Sequence, residues 1–221
     1  MVRKRRSLRI LLSTLGVAAV ASLAVGAIGV ASASATTQHW YAGNKLAEGA
    51  PTGFKVNSAA LVILQWKVTG SEMSIRCTSQ TGEGTLENPV GGGAGTYEFT
   101  KALLTLSGCK FWTPSACWLP GESMSFSVTK GATTEFEGKP AVKFSGTGLK
   151  ETLLSFTPQG CALGTQYFSG NFTGISNEKT QTFEFPETNW SITNKNSGGK
   201  AILAGSTHLE TTSGQAITVA P

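Results

Sequence analysis

Few side chains in this protein could act as a general acid or base. All thirteen acidic residues are Glu, and only His39 and His208 could act as histidine bases. Without Asp, the sequence excludes Asp-rich calcium loops, a Ser-His-Asp triad and an aspartic-protease dyad. No Ser stands in a Gly-x-Ser-x-Gly motif, and both histidines lie in polar stretches. We therefore expect solvated surface histidines rather than catalytic ones.

Paired glutamates offer another route to catalysis. Glu135 and Glu137 are two residues apart, which places both on one face of a strand, and Glu184 and Glu187 flank a proline. Two carboxylates are sufficient for glycoside hydrolysis. The competing interpretation is solvated charge at sheet edges. We predict no catalytic residue, and a secreted glycoside hydrolase using paired Glu is the alternative function.

Trp112 and Trp118 are better candidates for binding. They flank a short stretch that contains Pro114 and Cys117, and a disulfide would hold this stretch rigid. Indole rings on a rigid loop can stack on sugar faces or on a protein partner. The competing interpretation is that both rings cap the core, in which Trp66 and Trp190 are expected. We take Trp112 and Trp118 as candidate ligand-stacking residues.

The four cysteines indicate disulfide bonds. Their even number suits an oxidising compartment, and no two of them have the close spacing of zinc ligands, so neither a metal nor a cofactor is expected. We predict Cys109–Cys117, closing a loop over a proline, and Cys77–Cys161, joining distant strands. The rival pairing is Cys77–Cys109 with Cys117–Cys161, which also joins sequential strands.

The elements that must position these residues are strands. Apolar and polar side chains alternate in short segments bounded by Gly, Pro and Ser turns, and no sustained helical period follows the first 35 residues. The segments centre on residues 58–69, 73–77, 82–90, 97–106, 124–128, 142–144, 149–156, 168–172, 183–185, 190–192, 201–203 and 217–219, with a bulge expected at 101–102. This pattern predicts an all-β fold, an antiparallel β-sandwich or closed barrel of roughly ten short strands after an N-terminal helical signal segment.

The N-terminus predicts export. Five basic residues within the first nine precede an apolar stretch over 10–30 and two Ala-x-Ala sites, which is the layout of a secretory signal peptide over 1–35 cleaved near Thr36. The alternative is an uncleaved membrane anchor. We expect a loosely structured arm over 36–57 and a single β domain over 58–221. Beyond residue 9 thirteen basic residues balance thirteen acidic ones, so no nucleic-acid partner is expected.

Several short motifs carry a resemblance to a protein family. They are Ser74-Ile75-Arg76-Cys77, Glu87-Asn88-Pro89, Ser107-Gly108-Cys109 with Pro114 and Cys117, and Gly160-Cys161-Ala162-Leu163. Over residues 66–173 the chain resembles uncharacterised secreted proteins of soil actinobacteria. The resemblance implies export and a β fold. The family has no assigned activity, so it implies no catalytic residue.

Taken together, these features predict a secreted β module, possible partners being a cell-envelope glycan or an extracellular protein. We expect it to be non-enzymatic, either binding a ligand or associating with the cell wall. A membrane is expected to contact it only through the signal segment before cleavage.

Overall fold

The computed structural model describes residues 37–99, 104–146, 152–189 and 191–221. The signal peptide and its cleavage site, the bulge expected at 101–102 and Trp190 lie outside this range. The strands are β1 (His39–Ala42), β2 (Asn44–Lys45), β3 (Thr52–Ser58), β4 (Val62–Val68), β5 (Ser71–Cys77), β6 (Ser79–Glu87), β7 (Thr96–Phe99), β8 (Leu104–Ser107), β9 (Lys110–Thr113), β10 (Ser123–Phe126), β11 (Val128–Phe136), β12 (Lys139–Gly146), β13 (Thr152–Phe156), β14 (Gln166–Asn177), β15 (Thr182–Phe185), β16 (Ile192–Asn194), β17 (Lys200–Thr207), β18 (Leu209–Thr211) and β19 (Thr218–Ala220).

The predicted all-β, antiparallel class is confirmed, since the described residues contain these strands and a single 3₁₀ turn at Pro120–Glu122. The predicted number of roughly ten strands is wrong, because the described part of the chain holds nineteen. Many are pieces of longer runs. Thr78 alone separates β5 from β6, and His208 alone separates β17 from β18. Side-chain alternation continues through each longer run, so a break of one residue between two strands leaves no signal in the sequence.

β1, β2 and β19 form a three-stranded sheet, and the other sixteen described strands form a meander in which each run pairs with the next one in the chain. β3 and β4 lie antiparallel to β6 and β5, whose other edges pair with β7, β8 and β9. β7 and β8 pair with β11 and β10, which pair in turn with β12 and β13. β12 and β13 both pair with β14. β14 also pairs with β15 and β16, and both of those strands pair with β17. β17 and β18 then return to β4 and β3, so the order of hydrogen-bonded neighbours closes on itself.

Aromatic side chains fill the space behind these strands. Trp66, which the sequence places in the core, is buried, and its ring lies 5.4 Å from that of Phe168 and 5.8 Å from that of Phe156. Elsewhere in the core, the rings of Phe144 and Phe172 are stacked with their centres 4.8 Å apart. An enclosed cavity beside these rings measures only ≈ 10 Å³, which leaves room for about one water molecule. A ligand would therefore have to bind outside this core.

Within the segment 36–57, where a loosely structured arm is expected, residues 37–57 contain β1, β2 and most of β3. Trp40 of β1 is fully buried, with the indole N–H donating to the carbonyl of Thr96 at 3.0 Å. The Asn88 side chain accepts from the Trp40 amide at 2.8 Å and donates to its carbonyl at 3.0 Å. β1 also pairs with β19. The β domain thus begins well before residue 58.

Candidate binding surface

Both predicted disulfides are wrong in their pairing, although all four cysteines are oxidised. The bonds are Cys77–Cys109 and Cys117–Cys161, the rival arrangement. β5 and β6 run antiparallel to β8 and β9, and the amide of Thr78 donates to the carbonyl of Ser107 at 3.0 Å, which places Cys77 beside Cys109. The stretch after β9 leads away from Cys109 toward the β13–β14 connection, where it meets Cys161.

We call residues 112–118 the tryptophan loop. It is fastened at its C-terminal end, where Trp118 and Gln159 form an antiparallel bridge with reciprocal backbone hydrogen bonds of 3.0 and 2.9 Å, next to the Cys117–Cys161 bond. Gly160 has a φ of 77°, and a Cβ there would lie 3.0 Å from Trp118 Cδ1. The indole of Trp118 thus packs against a glycine backbone. Its exposed fraction is still 55%.

Trp112 lies on β9 at the other end of the tryptophan loop. Its neighbours Phe111 and Thr113 pair with Ile75 and Ser74 of β5, and Trp112 is the extra residue between them at a shift of register. Phe111 is buried, whereas 62% of Trp112 is exposed. The Arg76 guanidinium carbon lies 3.9 Å from the centre of the indole ring, a cation–π contact that covers one ring face. Lys110 and Glu122 form an exposed ion pair of 3.9 Å nearby on the chain. The surroundings of Trp112 are therefore charged.

A shallow depression lies between β10 and β13 on the outer side of the sheet. These two strands pair at one position only, Phe126 with Leu154. We call this depression of ≈ 480 Å³ the serine groove. Its lining residues are Ser123, Ser125, Ser127, Ser155, Thr157, Leu119, Pro120, Met124 and Phe156. The alternation over residues 124–128 puts Ser125 and Ser127 on the polar face of a strand, but nothing in the local sequence places β13 beside them.

The paired glutamates are all exposed. Glu137 has a φ of 50° and lies in the turn between β11 and β12, so it does not share a strand face with Glu135 as predicted. On β15, Glu184 accepts a hydrogen bond of 2.7 Å from the Asn177 amide, and Glu187 follows the strand. None of these exposed carboxylates lies in an apolar pocket of the kind that holds the general acid of lysozyme. These four residues therefore give little support to hydrolytic chemistry.

The histidines differ in exposure. His39 is only 8% exposed, contrary to the expectation of a solvated side chain, because β1 lies against the β domain. Burial lowers the pKa of His39, and the Lys45 ammonium adds to this, while Glu48 and the Asn88 side chain oppose it. His208 lies between β17 and β18 and donates through Nδ1 to the Gln181 carbonyl at 2.7 Å.

Comparison with protein-family models, with curated proteins and with solved structures finds no match to this chain. Within the described ranges, no group of three or more His, Cys, Asp or Glu side chains could hold a metal ion. No helix in the same ranges is long and apolar enough to cross a membrane.

Proposed function

We propose that the protein is an extracellular, non-enzymatic binding module whose contact surface includes Trp112 and Trp118. One observation carries this proposal: two tryptophans of the same loop are more than half exposed while their backbone is held by strand pairing and a disulfide. Large exposed aromatic rings on a rigid support lose little conformational entropy when a ligand covers them. The partner is a cell-envelope glycan or an extracellular protein.

An extracellular location is consistent with the two disulfides, which persist in oxidising compartments. In the proposal, the signal peptide over residues 1–35 directs export and is then removed. The module acts free or associated with the cell wall. The intact mass of the exported protein tests this, with a chain beginning near Thr36 expected and a full-length, membrane-bound product contradicting it.

For the architecture, we propose the closed barrel rather than the sandwich. The support is the circular order of antiparallel neighbours, in which β17 and β18 return to β4 and β3. Closure removes the free sheet edges that promote aggregation. A solution structure in which these ladders are separated would favour the sandwich.

The glycoside hydrolase alternative has weaker support, because its four candidate carboxylates are exposed. Replacement of Glu135 and Glu184 by Gln discriminates the two functions. Loss of a polysaccharide-cleaving activity in this variant would favour the enzyme. Unchanged ligand binding is expected if the protein is a binding module.

A glycan array with the purified protein tests the proposed function. The double substitution Trp112→Ala with Trp118→Ala should weaken the strongest signals. Val90→Ala is the matched control, because Val90 is an apolar residue of 80% exposure in a different loop. Signals that survive both tryptophan substitutions would overturn the proposal.

A further inference from the structure

We propose that the serine groove binds a neutral polysaccharide chain, with Trp118 stacking on a sugar ring at the end of the groove. This inference rests on the proposed function and names its ligand class and a second contact region.

The chemistry of the groove selects an uncharged, hydroxyl-rich ligand. Five of its nine lining side chains carry a hydroxyl, the other four are apolar, and none is charged. A hydroxyl both donates and accepts hydrogen bonds, as sugar hydroxyls do. Anionic chains are instead recognised by Arg and Lys, which the lining lacks. The Ser125 and Thr105 hydroxyls lie 3.3 Å apart, so one of these groups is already positioned by its neighbour on β8.

The shape of the groove follows from the pairing of its walls. β10 pairs with β8 at four positions but with β13 only at Phe126 and Leu154, so the outer surface is recessed between the two strands. The volume of ≈ 480 Å³ falls within the range of about 300–1,000 Å³ that is usual for ligand pockets. The recess is open to solvent along the strands, which suits a chain better than an enclosed small molecule.

Two aromatic rings border the same outer face. Trp118 and Gln159 are bridge partners, so their side chains lie on the same face of the sheet. Thr157, two residues before Gln159, has its side chain on that face and lines the groove. Ser155 pairs with Tyr167, whose side chain is 44% exposed. The Trp118 ring at the end of the groove and the Tyr167 ring along one wall can pack on sugar faces, while the sugar hydroxyls form hydrogen bonds with the serines.

The surroundings of Trp112 are chemically different. The Arg76 guanidinium packs on the Trp112 ring. Lys110, two residues before Trp112, forms an ion pair with Glu122. The neutral chain is therefore assigned to the Trp118 end of the tryptophan loop.

Native-gel affinity electrophoresis in the presence of a soluble polysaccharide tests the inference on the purified protein. The neutral probes are dextran, laminarin and galactomannan, and the anionic probe is polygalacturonate. The variants are Trp118→Ala and the double substitution Ser125→Val with Ser155→Val, since Val suits a strand but removes the hydroxyl. Thr85→Val is the control, because Thr85 is an outward hydroxyl-bearing residue on β6 away from the groove. Unchanged circular dichroism and unchanged mobility without polysaccharide verify the fold of each variant.

We expect at least one neutral polysaccharide to retard the protein. Loss of one hydrogen bond weakens binding about 2- to 10-fold, so the double substitution should raise the dissociation constant about 4- to 100-fold. Trp118→Ala should do the same, and Thr85→Val should leave it unchanged. If Trp118→Ala abolishes the retardation but the double serine substitution leaves it intact, the groove inference is overturned and the proposed function stands. Retardation by polygalacturonate alone, or by no probe, would also overturn the inference, whereas the proposed function is decided by the double tryptophan variant on the array.

Discussion

Replacement of Trp40 by Ala should remove a large part of the free energy of unfolding. The side chain is fully buried, and its ring lies 6.1 Å from that of Phe183 and 6.5 Å from that of Tyr97. Truncation of a buried tryptophan costs about 3–5 kcal/mol, and domains of this kind are stable by only about 5–15 kcal/mol. Trp40→Phe retains a ring but leaves the Thr96 carbonyl without its indole donor at 3.0 Å, which costs about 1–3 kcal/mol.

Urea denaturation followed by circular dichroism measures these differences, provided that the slope of the transition is unchanged. Trp112→Ala is the matched control. It removes the same side chain from an exposed position where the loss is the contact with Arg76, worth about 0.5–1 kcal/mol. If Trp40→Ala destabilises the protein no more than Trp112→Ala does, then Trp40 does not anchor β1 in the fold.

Three further outcomes follow from the structure. Non-reducing peptide mapping should recover Cys117 linked to Cys161, and any other partner for Cys117 contradicts the strand order. Because burial lowers the folded pKa of His39 below 6.5, the unfolded chain takes up a proton first. The free energy of unfolding should therefore fall as the pH drops through about 6.5, and an equal fall in a His39→Gln variant would assign it elsewhere. Gly131→Ala should lower the urea midpoint sharply, since the new Cβ would lie 2.0 Å from Tyr97 Cε1; an unchanged midpoint would show that this packing is wrong.

Local alternation predicted the strands that have one buried face. On β10, Met124 and Phe126 are buried while Ser123 and Ser125 face outward, as their spacing indicates. β1 escaped prediction because four residues are too few to establish a period, and its Trp40 is held by a distant asparagine.

The long-range features could not be obtained in this way. Disulfide pairing depends on which runs become neighbours, and two pairings of the four cysteines are compatible with their spacing. The same limit applies to the serine groove, because Ser125 and Ser155 belong to strands that meet at a single pair of residues. The exposed state of Trp112 and Trp118 was also open, since a tryptophan that caps a core has the same local sequence as one that binds a ligand.

The most direct test of the binding surface is isothermal titration calorimetry with the strongest ligand from the glycan array. We expect Trp112→Ala with Trp118→Ala to weaken the affinity by at least about 30-fold, the effect of losing one residue worth about 2 kcal/mol at the centre of an interface. Val90→Ala should bind like the unmodified protein. A dissociation constant that is unchanged in the double tryptophan variant would show that these two rings do not form the binding surface.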